Sequence, residues 1–279
     1  MISYLEFEKP VAALEARIAE LRQTAAEGDV DIAAEIRRLE MKSADLLAAT
    51  YKALTPWQKT QVARHPMRPH FVDYVQSVFS DFMPLGGDRY FGNDQAIIGG
   101  FAKLGNRRVM LIGHEKGNDT QSRIKHNFGM GKPEGYRKAI RLMDMAGRFG
   151  LPVPMVAVIV GEGGSGGAVA LASAERVLML EHAVYSVISP EGCASILWRT
   201  AEKAADAAEA MKVTAQDLLG LGVIDRIVKE PIGGAHRDPA LTAQGLSKAI
   251  SEELDELSKL SPDKLRAKRE ERFLRIGEG

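Results

Sequence analysis

Apolar residues recur with a helical period over the first part of the chain. The members of this stripe lie at i, i+3, i+7 and i+10, the spacing of one helix face: Val11, Leu14, Ile18 and Leu21. Pro10 suits the first turn of such a helix, and Gly28-Asp29 interrupts the pattern before it resumes. We therefore predict a helical hairpin over residues 1–54. Its apolar stripe needs cover, either from a partner protein or from the body of the same chain.

Helix starts and short apolar runs alternate after this hairpin. A serine or threonine before proline is typical of a helix N-terminus, as at Thr55-Pro56 and Ser189-Pro190. Two apolar runs on either side of a Gly-Asn turn predict a β-hairpin over residues 96–113. Residues Phe71–Phe82 fit one helix. The chain ends in two charged amphipathic helices within residues 238–279, which we expect to form a second arm rather than part of the core.

The segment from Val156 to Ala174 has the most informative pattern in the chain. Val156–Val160 are five apolar residues, which predicts a strand buried on both faces. Five of the seven residues in Gly161–Gly167 are glycines, which allow positive φ angles and close approach of another backbone. The small residues after them predict a helix. A glycine-rich turn before a helix presents unpaired backbone N–H groups at the positive end of the helix dipole, where an anion or oxyanion can bind.

Three chemistries fit Gly161–Gly167, and a turn without any ligand is a fourth possibility. The G-x-G-x-x-G spacing matches a dinucleotide fingerprint, with Glu181 near the place of a ribose-binding acid. The G-x-S-x-G elbow of serine hydrolases is also present, with Ser165 as nucleophile and Asp225 and His236 in hydrolase order. In the third interpretation, backbone N–H groups alone hold an enolate oxygen. The local pattern does not choose among them.

Composition narrows these alternatives only in part. The 279 residues include 37 basic and 37 acidic side chains, so the net charge gives no reason to expect binding of nucleic acid or of an anionic membrane. Cys193 is the single cysteine, which excludes an intrachain disulfide and a cysteine-based zinc site within this chain. No apolar run approaches the roughly 18 residues of a membrane helix, and no secretory signal is visible. We therefore expect a cytoplasmic protein.

A glycine-rich basic segment, residues 114–138, follows the β-hairpin. Its cationic residues are Lys116, Arg123, Lys125, Lys132, Arg137 and Lys138. A phosphate-bearing ligand, an acidic partner or bulk solvent would each suit such a run. Pro133-Glu134 then begins a predicted helix that ends at Gly150.

Longer sequence blocks resemble a known family. The strand, glycine-rich turn and helix, followed by residues 215–228, resemble the crotonase superfamily. A closer resemblance is to the alpha-subunit family of the bacterial acetyl-CoA carboxylase carboxyltransferase. The blocks that carry it span nearly the whole chain: Gly113–Gly117, Asn127–Met130, Pro133–Ala139, Gly161–Gly167, Tyr185–Trp198 and Gly233–Arg237. The block at Tyr185–Trp198 is highly specific by itself, and the N-terminal helical hairpin fits the family too.

The resemblance implies an α/β protein with a crotonase-like fold of the ClpP/crotonase superfamily. In that fold a spiral of ββα units forms the core. We expect an N-terminal helical hairpin arm at residues 1–54, the carboxyltransferase core at 55–237 and a C-terminal helical arm at 238–279.

The same resemblance implies a transferase that moves a carboxyl group from carboxybiotin to acetyl-CoA. The product is malonyl-CoA, in the first committed step of fatty acid synthesis. We expect the backbone N–H groups of Gly166 and Gly167 to stabilise an oxyanion. Gly163, Gly164 and Ser165 would bind the substrate, and no metal is expected in this chain. Two alternatives stay open: a stand-alone crotonase-type acyl-CoA enzyme, and a serine hydrolase that uses Ser165.

Partners and cofactors are also implied by the resemblance. The family's alpha subunit works only with a beta subunit, in an α2β2 heterotetramer whose beta chain holds the zinc. Carboxybiotin arrives on a separate biotin carboxyl carrier protein, after an ATP-dependent biotin carboxylase has acted. Acetyl-CoA is the co-substrate, and no cofactor is expected to be covalently bound to this chain.

One family segment is absent from this sequence. The family has a strand, an Asp-Thr-Pro-Gly-Ala-Tyr-Pro-Gly loop and a helix where this chain passes directly from Val153 to Pro154. By the resemblance, the absent piece is about 35 residues. Loss of a strand from a sheet core leaves a void and unpaired backbone groups. Either the protein lacks this segment, or a disordered segment is left out of this numbering. We favour the second, and then expect the Cα atoms of Val153 and Pro154 to lie well beyond the ~3.8 Å of a trans peptide.

Overall fold

Helices pack around three groups of strands, which makes the protein α/β. The structure is a computed structural model that describes residues 3–27, 32–148 and 154–276. Within these ranges the strands form one antiparallel sheet of three, one parallel sheet of three and a parallel pair. None of the helices in these ranges has the length and apolar content that a membrane crossing requires.

Two helices that contact each other begin the chain. Helix α1 is Lys9–Glu27 and helix α2 is Ala33–Lys52. A buried apolar cluster closes the base of the pair: Val11, Leu47, Tyr51, Leu54 and Val62. The two predicted helices are confirmed, whereas the predicted break at Gly28-Asp29 lies outside the described residues.

The base of this helical pair is held by the body of the same chain. Arg237 Nη1 donates a hydrogen bond to Glu15 Oε1 at 2.9 Å. The His65 ring nitrogen Nε2 lies 2.8 Å from the carbonyl oxygen of Ser3. The sequence allows the apolar stripe to be covered either by a partner protein or by the same chain. At the base of the helical pair, the chain itself supplies this cover. A partner-binding role for the rest of the pair stays a prediction.

The next two helices are short, and the second ends earlier than predicted. Helix α3, Pro56–Ala63, begins where the hydroxyl of Thr55 accepts a hydrogen bond from the backbone N–H group three residues later. Helix α4 is Phe71–Val78, and strand β1, Ser80–Pro84, follows it. The prediction of one helix over Phe71–Phe82 is therefore wrong. The reason is that residues after Val78 pair with a later strand, and this pairing outweighs the local helical pattern.

The predicted β-hairpin is confirmed. Strand β2, Ile97–Leu104, pairs antiparallel with strand β3, Arg107–His114, and also with β1. Gly100 allows β1 and β2 to approach closely, because a Cβ at this position would lie 2.1 Å from the carbonyl oxygen of Met83. The sheet order is β1-β2-β3.

Two helices connect strand β3 with the central part of the chain. Helix α5, Thr120–Lys125, was not predicted, and it lies within the basic segment. Helix α6, Pro133–Arg148, packs on β2 and β3 and buries Leu142 completely. Its start is as predicted, whereas the predicted end at Gly150 lies outside the described residues.

The central part alternates strands and helices. In chain order they are β4 Val156–Ile159, β5 Glu162–Gly164, α7 Ser165–Leu171, β6 Arg176–Leu180, β7 Val184–Ser186, α8 Pro190–Trp198, α9 Ala204–Ala210, α10 Ala215–Gly220 and β8 Arg226–Val228. Strands β4, β6 and β8 form the parallel sheet with β6 in the middle, and β5 pairs in parallel with β7. The order of strand, glycine-rich turn, helix and parallel strand is that of the predicted crotonase-like core, so the α/β fold class is confirmed.

Strand β4 is less buried than its sequence predicts. Ile159 is buried, but Val156, Ala157 and Val158 are only partly buried. The strand lies at the edge of its sheet, and β6 is its single partner among the described strands. The prediction of a strand buried on both faces is therefore wrong. An edge strand lacks, on its outer side, the neighbouring strand whose side chains would flank its own, and the described ranges contain no such neighbour for β4.

The C-terminal helices are not separate from the core. They are α11, Pro239–Leu257, and α12, Pro262–Arg275. One face of α11 belongs to the main apolar cluster together with strand β6: Leu246, Ala249, Ile250 and Leu254. In α12, Leu265 is buried and Arg272 donates a hydrogen bond to the Val223 carbonyl at 2.6 Å. The expectation that these helices lie outside the core is wrong, since an apolar stripe on α11 covers the sheet. The domain boundaries themselves stay predictions.

Candidate active site

The glycine-rich segment is a strand end followed directly by a helix. In the parallel pair of β5 and β7, Gly163 lies opposite Tyr185 and Gly164 opposite Ser186. Gly164 is extended, with φ −137° and ψ 154°, and Ser165 then begins α7 with φ 63°, in the left-handed region. A non-glycine residue in that region costs of order 1–3 kcal/mol, and such strain is concentrated at functional sites. The conformation of Ser165 therefore marks this turn as a candidate site.

The predicted substrate-binding residues have different surroundings. Gly163 is partly buried, and a Cβ at this position would lie 3.2 Å from Ile159 Cγ2 and 3.2 Å from Tyr185 Cδ2. Close packing therefore requires glycine there. Gly164 and Ser165 are exposed, so both are accessible to a ligand.

The two predicted donors lie in the first turn of α7. Backbone N–H groups in a first turn have no acceptor within the helix. Gly166 is exposed, and a Cβ at this position would have no atom of the protein within 4 Å. A Cβ on Gly167 would lie 3.0 Å from Tyr136 Oη and 3.3 Å from His114 Nε2. The donors therefore have open space beside Gly166 and two polar side chains beside Gly167.

His114 and Tyr136 are the site residues that sequence reasoning missed. His114 is the last residue of β3, and Tyr136 lies in the first turns of α6. Both belong to blocks that carry the family resemblance, Gly113–Gly117 and Pro133–Ala139, which was the one available signal. No spacing rule connects either block with the glycine-rich turn.

Burial lowers the pKa values of two groups from this part of the chain. Burial lowers the pKa of His114, although the Asp94 carboxylate opposes the shift, so the imidazole is neutral near pH 7. Burial also lowers the pKa of Lys116, against the attraction of the Glu162 carboxylate just before the turn. Lys116 makes no hydrogen bond or ion pair within the described ranges. Its ammonium group is therefore available to an anionic ligand.

Arg64 ties the turn to the helix that begins at Pro190. Its Nε donates to Glu162 Oε2 at 2.8 Å, and its Nη1 donates to Glu191 Oε1 at 2.5 Å. Burial by itself lowers the pKa of Arg64, but the hydrogen bonds with the two carboxylates more than compensate and raise it. The hydrogen bond from Arg64 in turn lowers the pKa of Glu191. Arg64 therefore stays charged at neutral pH, and its hydrogen bonds hold the start of β5 against the start of α8.

The catalytic triad of a serine hydrolase is not assembled. No hydrogen bond joins Ser165 to His236, whose ring stacks on His65 with the centroids 3.8 Å apart. The Asp225 carboxylate instead accepts a hydrogen bond from the Val177 N–H group at 2.7 Å. Ser165, His236 and Asp225 therefore do not form the hydrogen-bonded chain of a catalytic triad.

In the dinucleotide interpretation the Glu181 carboxylate would bind the ribose, but it is not free to do so. Glu181 accepts hydrogen bonds from Lys229 Nζ at 2.6 Å and from the Glu230 N–H group at 3.3 Å. Its carboxylate is thus engaged within the chain. The residues that the structure describes contain no group of three or more His, Cys, Asp or Glu side chains placed to hold a metal ion.

Comparisons with known proteins converge on one family. A family model described as acetyl co-enzyme A carboxylase carboxyltransferase-like matches residues 4–154 and 150–277. The acetyl-coenzyme A carboxylase carboxyl transferase subunit alpha of Erythrobacter litoralis (strain HTCC2594) is 68% identical over 314 aligned positions, which cover 99% of this chain and 100% of that protein. The chain belongs to the acetyl-CoA carboxylase carboxyltransferase family.

Another relative and one solved structure complete the comparison. The subunit alpha of the carboxyltransferase from Rhizorhabdus wittichii is 61% identical over 313 positions, which cover 99% of this chain and 100% of that protein. Transcarboxylase 12S superimposes with a TM-score of 0.45 at 15% identity, over 68% of this chain and 42% of that chain. As a member of the carboxyltransferase family, the chain is a transferase that acts in carboxyl transfer to acetyl-CoA.

Carboxyltransferase relatives contain one segment more than this chain. The alignment with the Erythrobacter protein has 314 positions, 35 more than the 279 residues here. The two matches of the family model meet at residues 150–154. Length and place both agree with the strand, loop and helix that are absent between Val153 and Pro154. The long Cα spacing expected between these two residues lies outside the described residues and stays a prediction.

Proposed function

We propose that this chain is the alpha subunit of a two-component carboxyltransferase and supplies half of a shared active site. In this proposal it receives the carboxyl group on carboxybiotin, and acetyl-CoA is bound mainly through the partner. The observation that carries the proposal is the first turn of α7, where Gly166 borders open space and Gly167 lies beside the side chains of Tyr136 and His114.

The reaction depends on the stabilisation of oxyanions more than on acid–base catalysis by side chains. Loss of CO₂ from carboxybiotin leaves negative charge on the ureido oxygen of biotin. The adjacent ureido nitrogen takes a proton from the acetyl methyl group, which places charge on the thioester oxygen. The enolate carbon then attacks CO₂, and malonyl-CoA forms. Preorganised N–H donors in a dry site stabilise such an oxyanion by roughly 3–4 kcal/mol each.

Each predicted site residue has a part in this mechanism. Gly166 and Gly167 are the oxyanion donors. Gly164 and Ser165 are exposed and contact the substrate through their backbone. Gly163 acts by its small size, since it lets β5 pack against Tyr185. Ser165 is not a nucleophile in this proposal.

An exposed apolar surface beside the turn supports a partner subunit. Val187, Ile196 and Leu197 are 71%, 71% and 64% exposed, and the last two lie on α8, which Arg64 ties to the turn. Large apolar side chains that cluster in solvent mark interaction sites. We assign this surface to the beta subunit, which would bring the coenzyme A side of the site and the zinc, in an α2β2 assembly.

The remaining partners follow from the substrate. Carboxybiotin reaches the site on a biotin carboxyl carrier protein, after a biotin carboxylase has formed it with ATP. The helical pair at residues 1–54 and the exposed faces of the helices in residues 238–279 serve the assembly. The complex works in the cytoplasm, in fatty acid synthesis.

Reconstitution with a beta subunit tests this function. We expect malonyl-CoA formation from carboxybiotin and acetyl-CoA in the mixture and in neither chain alone. The Erythrobacter litoralis subunit alpha, mixed with the same beta chain, is the control that shows the beta chain to be active. Turnover by this chain alone would contradict the proposal and favour a stand-alone acyl-CoA enzyme.

A further inference from the structure

Two polar side chains from separate elements converge on Gly167. Tyr136 Oη and His114 Nε2 would lie 3.0 Å and 3.3 Å from a Cβ at this position. Neither the hydroxyl nor the imidazole makes a hydrogen bond within the described ranges. Tyr136 is 37% exposed and His114 is partly buried, so a ligand can reach both groups.

The position of His114 is fixed by its neighbours. His114 lies opposite Ile97 in the antiparallel pairing of β3 with β2. The next residue, Glu115, is buried and accepts hydrogen bonds from the His70 ring at 3.1 Å and from the Gly117 N–H group at 2.7 Å. Because successive side chains of an extended segment point in opposite directions, the inward Glu115 directs His114 to the other side, toward the turn.

The position of Tyr136 is fixed through the start of α6. A Cβ on Gly135 would lie 2.0 Å from Asp94 Oδ2, so the first turn of α6 rests directly on that buried carboxylate. Lys138 Nζ donates a hydrogen bond to the Asp94 carbonyl oxygen at 2.6 Å. The helix is thus held at its first turns, and Tyr136 projects from a rigid support.

The converging groups are donors without a charge. A neutral imidazole carries one N–H group and a tyrosine hydroxyl carries one O–H group. In the tautomer with its proton on Nε2, the imidazole joins the Tyr136 hydroxyl and the backbone N–H of Gly167 as a third donor around one place. Such a set suits a compact ligand that has several acceptor oxygens in one plane.

We propose that His114 and Tyr136 are substrate contacts that donate hydrogen bonds to the urea ring of biotin and its carboxylate. This inference rests on the proposed function, and it adds two side chains to a site otherwise made of backbone groups. They bind and orient the ring, and no proton is transferred to or from either of them.

The test uses the reconstituted complex with the beta subunit. The reverse reaction, carboxyl transfer from malonyl-CoA to free biotin, allows both substrates to be varied independently. Tyr136→Phe removes the hydroxyl alone, and His114→Leu removes the ring nitrogens. We expect about tenfold lower kcat/KM for biotin in each, the effect of one lost hydrogen bond, with the KM for malonyl-CoA unchanged.

Two further variants serve as controls. His114→Gln keeps an amide N–H near the place of Nε2, and we expect it to restore most of the lost kcat/KM for biotin. Tyr90→Phe removes the hydroxyl of a tyrosine that is 88% exposed, and we expect it to behave like the parent complex. An unchanged kcat/KM for biotin in both Tyr136→Phe and His114→Leu would overturn the inference. So would equal losses for both substrates with a lower thermal midpoint, which indicate a structural role.

Binding gives a second measurement that does not need turnover. Saturation-transfer NMR with free biotin should show binding to the unmodified chain that is weaker in Tyr136→Phe but not in Tyr90→Phe. Equal or absent binding in all three proteins would overturn the inference. An inactive complex that still shows this difference in binding would count against the proposed function alone.

Discussion

The imidazole rings of His65 and His236 stack with centroids 3.8 Å apart and 17° between their planes. Both nitrogens of His65 are engaged: Nδ1 accepts a hydrogen bond from the Met67 N–H group at 3.1 Å, and Nε2 lies 2.8 Å from the Ser3 carbonyl oxygen. His236 is buried, and neither of its ring nitrogens has a partner in the described chain. A second proton, which would make the His236 ring cationic, would therefore be buried without an acceptor.

This arrangement predicts a loss of stability in acid. Burial, followed by the charges of His65, Arg68 and Arg237, lowers the pKa of His236 to about 3. In the unfolded chain the pKa of histidine is about 6.5. Between these values the unfolded state binds a proton that the folded state does not, so stability falls as the pH drops below about 6.5 and stops falling near 3. We expect a loss of about 1–2 kcal/mol between pH 7 and pH 5.

Urea unfolding of the parent chain and of His236→Gln checks this prediction. Glutamine does not titrate, so the free energy of unfolding of the variant should fall less between pH 7 and pH 5. Burial also lowers the pKa values of His114 and His182, and both proteins share that contribution. Identical pH slopes in the two proteins would show that His236 does not cause the loss.

Gly166→Ala should separate catalysis from stability. A Cβ at Gly166 meets no atom within 4 Å, and alanine is favoured in a helix over glycine by up to about 1 kcal/mol. The thermal midpoint should therefore not fall. The methyl group enters the space that we assign to the substrate, so transfer from malonyl-CoA to biotin should fall by about tenfold or more. Gly220→Ala, in equally open space on α10, is the control expected to keep full activity.

Gly167→Ala should differ from Gly166→Ala in its effect on stability. Its Cβ would lie 3.0 Å from Tyr136 Oη and 3.3 Å from His114 Nε2, so both side chains must move. We expect a loss of about 1 kcal/mol in the free energy of unfolding, together with lower activity. Equal stability of the two alanine variants would contradict the observed packing around Gly167.

Arg64→Lys should weaken the attachment of the turn. Lysine cannot donate to Glu162 and Glu191 with the fork geometry of the guanidinium. Because these side chains are about one third exposed, solvent screening limits the expected loss to about 1 kcal/mol. The loss should shrink in high salt, as urea unfolding at two salt concentrations will show. Arg17→Lys, in an exposed ion pair on α1, should leave both stability and activity unchanged.

Replacement of Ser165 distinguishes the carboxyltransferase from a hydrolase. Ser165→Ala should keep carboxyl transfer within about threefold of the parent, since its hydroxyl has no role in oxyanion stabilisation. Ser165→Gly should gain about 1 kcal/mol of stability, because glycine adopts the left-handed conformation without strain. Covalent labelling of Ser165 by a fluorophosphonate, with activity lost in Ser165→Ala, would favour the hydrolase instead.

Contacts within one turn were predictable from neighbouring residues. The hydroxyls of Thr55 and Ser189 each accept a hydrogen bond from the backbone N–H group three residues later, as the helix-start signals indicate. The β-hairpin and the glycine-rich turn were found in the same way. Both partners of such a contact are close in the chain, so its pattern is visible before any folding is considered. Longer blocks of residues were enough to indicate the family.

Contacts between distant segments required the folded chain. Residues Ser80–Pro84 follow a helical pattern but pair with β2, and α11 has a charged amphipathic pattern but covers the sheet with one face. His114 and Tyr136 meet Gly167 although no sequence spacing relates the three. Local propensity yields to such packing because its contribution per residue is small. The family and the place of the turn were thus encoded locally, whereas the side chains that face the turn were set by how the sheet and helices pack.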